Sequence, residues 1–162
     1  MTKSNLETWD FRFLDMSELV STWSKDPSTK VGSVIVDEDN RIISVGYNGF
    51  PKNVSDDDRL DDREKKYKII VHAEVNAILF AKNSLESTIL YTYPFMPCSR
   101  CAGLVIQSGI KRVVSYKNTN PRWEKDFNIS RQMFQEAGVE VLEYEPVSEL
   151  KKIQKTKGKR KS

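Results

Sequence analysis

The 162-residue chain predicts an α/β fold, a five-stranded mixed sheet with helices on both faces. Apolar residues alternate along it between helical spacing and short β-rich runs, and the two kinds of segment interleave instead of clustering. Their order is helix, hairpin, helix, strand, helix, strand, helix, strand. The only histidine and both cysteines fall at the starts of two of those helices, so the architecture also gathers the scarcest residues. No internal repeat is visible.

Residues 5–24 read as the first helix, because Trp9, Phe13, Met16, Val20 and Trp23 form one apolar stripe. Pro27 disfavours helical geometry at the residue before it, so the helix ends near Ser24-Lys25-Asp26-Pro27. Residues 31–36 and 41–47 are two strands joined by the turn cluster Asp37-Glu38-Asp39-Asn40, a hairpin. Asn48-Gly49-Phe50-Pro51 breaks the second strand, and a polar loop runs to about residue 66. Its Asp56, Asp57, Asp58, Asp61 and Asp62 lack the spacing of a calcium loop and read as loop solvation.

A helix over 71–83 begins at His72, with Val71, Val75, Ile78 and Leu79 spaced for one face. Ala73, Ala77 and Ala81 favour it further. Residues 88–93 are the third strand, closed by Pro94 and Pro97. Cys98 to Ser108 is a helix ended by Gly109, and 111–116 is the fourth strand. Residues 128–137 form a helix stopped by Gly138, and 139–144 alternate as the fifth strand. The domain is expected over 1–148, with a disordered basic tail over 149–162.

Hydrophobic content of 38% and charged content of 30% suit a soluble protein, and no apolar run approaches the roughly 20 residues of a membrane span. The N-terminus has no signal-peptide core. Free thiols at a metal site favour a reducing compartment, the cytoplasm of the cell or of an infected host. The net charge of +3 misleads, because seven of the 26 Lys and Arg residues lie in 151–162, where there is no acid. The remaining 19 face 23 acids, a body of net −4. Nucleic-acid binding needs clustered cations, so that body argues against a nucleic-acid partner.

His72-Ala73-Glu74 and Pro97-Cys98-Ser99-Arg100-Cys101 carry the chemistry. Cys-x-x-Cys puts two thiols on one turn, and one imidazole nitrogen completes a three-ligand set. Zn²⁺ prefers such N/S surroundings, and three protein ligands leave a fourth position for water, the mark of a catalytic site. Helix N-termini lower thiol pKa, which eases thiolate formation. A thioredoxin-like redox pair is the rival reading, but it explains neither His72 nor Glu74. His-x-Glu followed by Pro-Cys-x-x-Cys is the pattern of zinc deaminases acting on nucleobases, where the Glu is the general acid/base and no ligand. Read as simple structure, Glu74 is a carboxylate favoured at a helix start.

Further segments narrow the likeness. Ser24-Lys25-Asp26-Pro27-Ser28-Thr29-Lys30-Val31-Gly32, Gly46-Tyr47-Asn48-Gly49-Phe50-Pro51, Ser55-Asp56-Asp57, Asn76-Ala77-Ile78 and Ile106-Gln107-Ser108-Gly109-Ile110-Lys111 occur in that order. With the zinc motif they resemble the deoxycytidylate deaminase family over residues 9–146. The resemblance implies a three-layer cytidine-deaminase-like fold and hydrolytic deamination of dCMP to dUMP, a precursor for dTMP synthesis. It implies zinc on His72, Cys98 and Cys101, with Glu74 as the proton shuttle. It also implies a homo-oligomer, a hexamer by preference, with dCTP and Mg²⁺ activating and dTTP inhibiting.

Carried over by position, Asn48 contacts the nucleotide, and the Ser24-Lys25 stretch lies near the phosphate, with Lys25 as its cation. Two departures stand out: Trp23 sits where relatives often have Arg, and Asn53 where they usually have Gly. Some relatives bind a second, structural zinc through additional His and Cys, but this chain has none to spare, which implies one zinc per subunit. A tRNA adenosine deaminase and a free cytidine deaminase of the same fold are the enzymatic alternatives. The acidic body and the Gly-Tyr-Asn-Gly-Phe-Pro segment speak against the first, and that segment suits the second less well. A non-catalytic zinc-stabilised module is the alternative from another class, opposed by Glu74 and the open zinc position.

Overall fold

The structure is a computed structural model that describes residues 2–146. The expected tail over 149–162 and its boundary lie outside the described residues. Helix α1 spans Lys3–Ser21, β1 Gly32–Val36, β2 Ile42–Tyr47, α2 Arg63–Ile69 and α3 Ala73–Phe80. Then come β3 (Ile89–Tyr93), α4 (Ser99–Gln107), β4 (Arg112–Tyr116), α5 (Glu124–Ala137) and β5 (Glu140–Tyr144). They build the five-stranded mixed sheet that the sequence predicts, in the order β2-β1-β3-β4-β5. Strand β1 runs antiparallel to β2 and β3, whereas β3–β4 and β4–β5 are parallel.

Parallel neighbours need a crossover, and α4 and α5 supply the two crossovers here. Both pack on one face of the sheet, together with α3. Strand side chains alternate between faces, which sorts two cores. Val34, Val36, Ile89, Tyr91, Val114 and Tyr116 pack with Phe13, Leu14 and Val20 of α1. Ile35, Leu90 and Val113 point the other way, against Ala77 of α3, Ala102 and Val105 of α4, and Phe127 and Phe134 of α5. Covered on both faces, β1, β3 and β4 can carry nearly continuous apolar runs. Helix α1 lies so close that a Cβ on Gly32 would stand 2.1 Å from the Ser17 carbonyl oxygen.

Several local expectations are corrected. Helix α1 stops at Ser21, so Trp23 is not part of its stripe; it is 51% exposed and edge-on to Tyr47. The supposed loop to residue 66 holds a 3-10 turn (Asp58–Leu60) and the first half of α2. Asp57 accepts from the Arg59 N–H and Asp62 from the Lys65 N–H, so these acids cap helices. Helix α5 begins at Glu124, earlier than the 128 expected, after a 3-10 turn whose cap is Asn120.

Helix α3 buries a different face from the one its large residues suggested. Ala73, Glu74 and Ala77 are buried, whereas Leu79 is 67% exposed. Gly46 explains this: a Cβ there would lie 2.4 Å from both the Ala73 oxygen and the Ala77 nitrogen. The helix backbone rests directly on β2, and only small residues fit along that contact. The polar loop also keeps its turn at Asn53, which adopts the left-handed φ of 64° that Asn tolerates better than most residues.

Candidate active site

Two helix starts converge. His72 is the N-cap residue of α3 and Cys98 that of α4, with Cys101 in the first turn of α4. His72 Nδ1 lies 3.5 Å from Cys98 Sγ and 3.2 Å from Cys101 Sγ, and the three donor atoms all fall within 4.8 Å of one another. Zn–S bonds of about 2.3 Å and Zn–N bonds of about 2.0–2.1 Å at tetrahedral angles put N and S donors about 3.5 Å apart. The cluster therefore fits zinc in donor type and in spacing. Among the described residues it has three members, which suits a metal that keeps one position open.

The Cys98 thiol is pulled below its ordinary value, first by the hydrogen bond from the Cys101 thiol and then by His72, against the cost of burial. Cys101 is pushed up because its proton serves Cys98 and because it is buried. A thiol beside a thiolate is the arrangement that a divalent cation converts to two thiolates.

Glu74, the second residue of α3, is 4% exposed. Burial raises its pKa, with the neighbouring His72 opposing. The Thr92 hydroxyl, from β3, stands 3.4 Å from its Oε1. A carboxyl raised above its ordinary value by burial and facing a cleft suits repeated proton transfer.

His72, Glu74 and Cys98 line a cavity of about 420 Å³, within the range that holds a small ligand. Phe95, Trp123 and Phe127 give it an aromatic wall. Asp26, Asn48 and Lys66 form a polar one. Asn48, 5% exposed, donates from Nδ2 to the Thr29 carbonyl at 2.9 Å and accepts at Oδ1 from the Val31 N–H at 2.9 Å. Its amide thus ties the 24–31 segment to the end of β2.

Ser24 stands behind that wall and not on the cavity lining. It is buried, and its hydroxyl donates to the Asn48 carbonyl at 2.8 Å. Lys25 is also off the lining, its exposed ammonium paired with Asp56 at 2.7 Å. The cation that the sequence reading missed is Lys66, 2% exposed, which donates to Asp26 at 2.9 Å and to the Ser28 hydroxyl at 3.0 Å. The helix-start signal of Asp62 ahead of Arg63, Glu64 and Lys65 could have turned the supposed loop into a helix and shown Lys66 facing inward.

Fold and donor set together place the chain among the zinc-dependent deaminases, which are hydrolases. Residues 7–117 match the family described as cytidine and deoxycytidylate deaminase zinc-binding region, and the chain belongs to that family. It is 49% identical over 139 residues to an "uncharacterized deaminase in luxG 3'region" of Aliivibrio fischeri, covering 84% of this chain and 93% of that one. It is 42% identical over 150 residues to a probable deoxycytidylate deaminase of Drosophila melanogaster, covering 85% and 73%. The fold matches the apo crystal structure of dCMP deaminase from the cyanophage S-TIM5 with a TM-score of 0.68 at 23% identity, over 88% of this chain and 99% of that one.

Proposed function

We propose that the chain hydrolyses dCMP to dUMP and ammonia, with Glu74 as the proton carrier. The observation that carries this reading is the placement of Glu74, buried on the same cavity as His72 and Cys98. His72, Cys98 and Cys101 would hold the zinc, which would supply a water acidified toward neutral pH. Glu74 would take one proton from the attacking water and hand it to ring N3. It would then take the second from the hydroxyl now on the ring carbon and pass it to the amine, which leaves as ammonia while that carbon becomes the carbonyl of dUMP. The raised pKa of Glu74 suits both directions of transfer. Phe95, Trp123 and Phe127 exclude water from around the base, which strengthens those proton transfers.

The family relation and the name of the Drosophila relative support the deoxycytidylate substrate. Asn48 is the proposed nucleoside contact, through the remaining acceptor capacity of Oδ1, and Ser24 fixes its main chain. Lys25 must leave Asp56 to reach a phosphate. Lys66 and Arg100 are the Lys and Arg side chains on the cavity lining among the described residues. Exposed Leu79, Phe80 and Leu104 on α3 and α4 give apolar surface for the self-association we also propose.

Glu74→Gln tests the assignment. The variant should keep its zinc and its affinity for dCMP while ammonia release falls by several orders of magnitude. A near-normal rate would mean that another group moves the protons.

A further inference from the structure

Cys98 has two tasks at the start of α4. It is the N-cap residue, and its sulfur belongs to the metal donor set. The sulfur faces the other donors, and it is not the acceptor for the Ser99 N–H. The first N–H groups of a helix still need acceptors. For Ser99, the first residue of α4, the acceptor comes from another helix. One carboxylate oxygen of Asp126, in α5, accepts from the Ser99 N–H at 2.9 Å, and the other accepts from the Ser99 hydroxyl at 2.6 Å. Ser99 and Asp126 are both partly buried beside the cavity.

We propose that Asp126 is a positioning residue for the metal site, gripping the turn between the two cysteines so that both sulfurs face His72 Nδ1. Ser99 follows Cys98 directly and lies within the Cys-x-x-Cys turn, so a two-point hold on it limits rotation of the whole turn. A local Ser, Thr, Asp or Asn at position 98 would cap the helix but remove a ligand; supplying the carboxylate from α5 keeps both functions. The negative charge at this helix end is also favoured by the helix dipole. Groups that orient metal ligands from behind typically change metal affinity by about 10–100-fold when removed. The inference rests on the zinc reading above.

The test is competition for Zn²⁺ between the protein and a graded series of chelators, on the parent, Asp126→Ala, Asp126→Asn and Val36→Ala. Val36 is fully buried in the core on the α1 face of the sheet, the face opposite α4, so its truncation reports simple loss of stability. Asp126→Ala should weaken zinc binding by about 10–100-fold. Asp126→Asn, which keeps one acceptor oxygen, should recover part of that loss. The Co²⁺-substituted Asp126→Ala protein should show an altered ligand-field spectrum. Val36→Ala should lower the Tm and leave zinc affinity and the Co²⁺ spectrum as in the parent. Zinc affinity in Asp126→Ala equal to the parent's would overturn the proposal, as would losses that merely follow Tm across all variants. If Asp126→Ala does not fold, Asp126→Asn and Ser99→Ala carry the same comparison. A parent protein that holds no zinc would overturn the metal reading itself.

Discussion

Asp10 and Arg112 meet as a bidentate pair in the interior, both guanidinium NH₂ nitrogens 2.8 Å from the two carboxylate oxygens. Asp10 is completely buried in α1, and Arg112 opens β4. The hydroxyls of Tyr91 and Tyr144 donate to the same carboxylate at 2.7 and 2.8 Å. One acidic side chain thus ties α1 to three strands of the sheet. Burial and the Asp10 bond push the Tyr91 phenol far above its ordinary pKa, so it stays a donor.

Removing one member of this cluster leaves the others buried without their charge partner. Asp10→Ala and Arg112→Ala should each destabilise the protein by about 3–5 kcal/mol, measured by urea unfolding. The double variant should cost clearly less than the sum, because it no longer strands a charge. Strict additivity would show that the two side chains do not stabilise one another.

Asn48 has a structural duty beside its proposed nucleoside contact. Its bonds to the Thr29 carbonyl and the Val31 N–H hold the polar wall of the cavity together. Asn48→Ala should therefore lose about 1–3 kcal/mol of stability as well as activity on dCMP and deoxycytidine alike. Unchanged urea unfolding with a large loss of activity would assign Asn48 to substrate alone.

Lys25 offers a sharper discrimination. Its ammonium is solvent-exposed and engaged by Asp56 away from the cavity lining. Lys25→Ala should leave the ratio of kcat/KM for dCMP over deoxycytidine as in the parent. A selective loss on dCMP would show that Lys25 swings over to the phosphate when substrate binds.

Metal occupancy follows from the donor set. Elemental analysis should find about one Zn²⁺ per chain in the parent, as expected for a single three-ligand catalytic site. Cys98→Ala and Cys101→Ala should lose it. Full zinc in either variant would break the assignment of that sulfur.

The sheet and the gathering of His72, Cys98 and Cys101 were legible in the sequence for physical reasons. Strands buried on both faces carry nearly continuous apolar runs, and a chain with one His and two Cys has few ways to bind zinc. What the sequence hid depended on contacts between distant segments. The apolar spacing of α3 pointed to Leu79, but close approach to Gly46 selects the alanine face. Lys66 looked like one more loop cation until α2 carried it inward to Asp26. Asp126 showed no role because its partner, Ser99, lies 27 residues away. Asp10 was one acid among many in an amphipathic stretch, and its partner is 102 residues distant.

The central claim, that this cavity deaminates a nucleotide, is tested most directly by kcat/KM for ammonia release from dCMP and from deoxycytidine by the zinc-loaded protein. Charge-assisted contacts are worth roughly 1.5–3 kcal/mol each, so two phosphate contacts at the low end should favour dCMP by about 10²-fold or more. Equal values for the two substrates would contradict the nucleotide reading and leave a nucleoside deaminase.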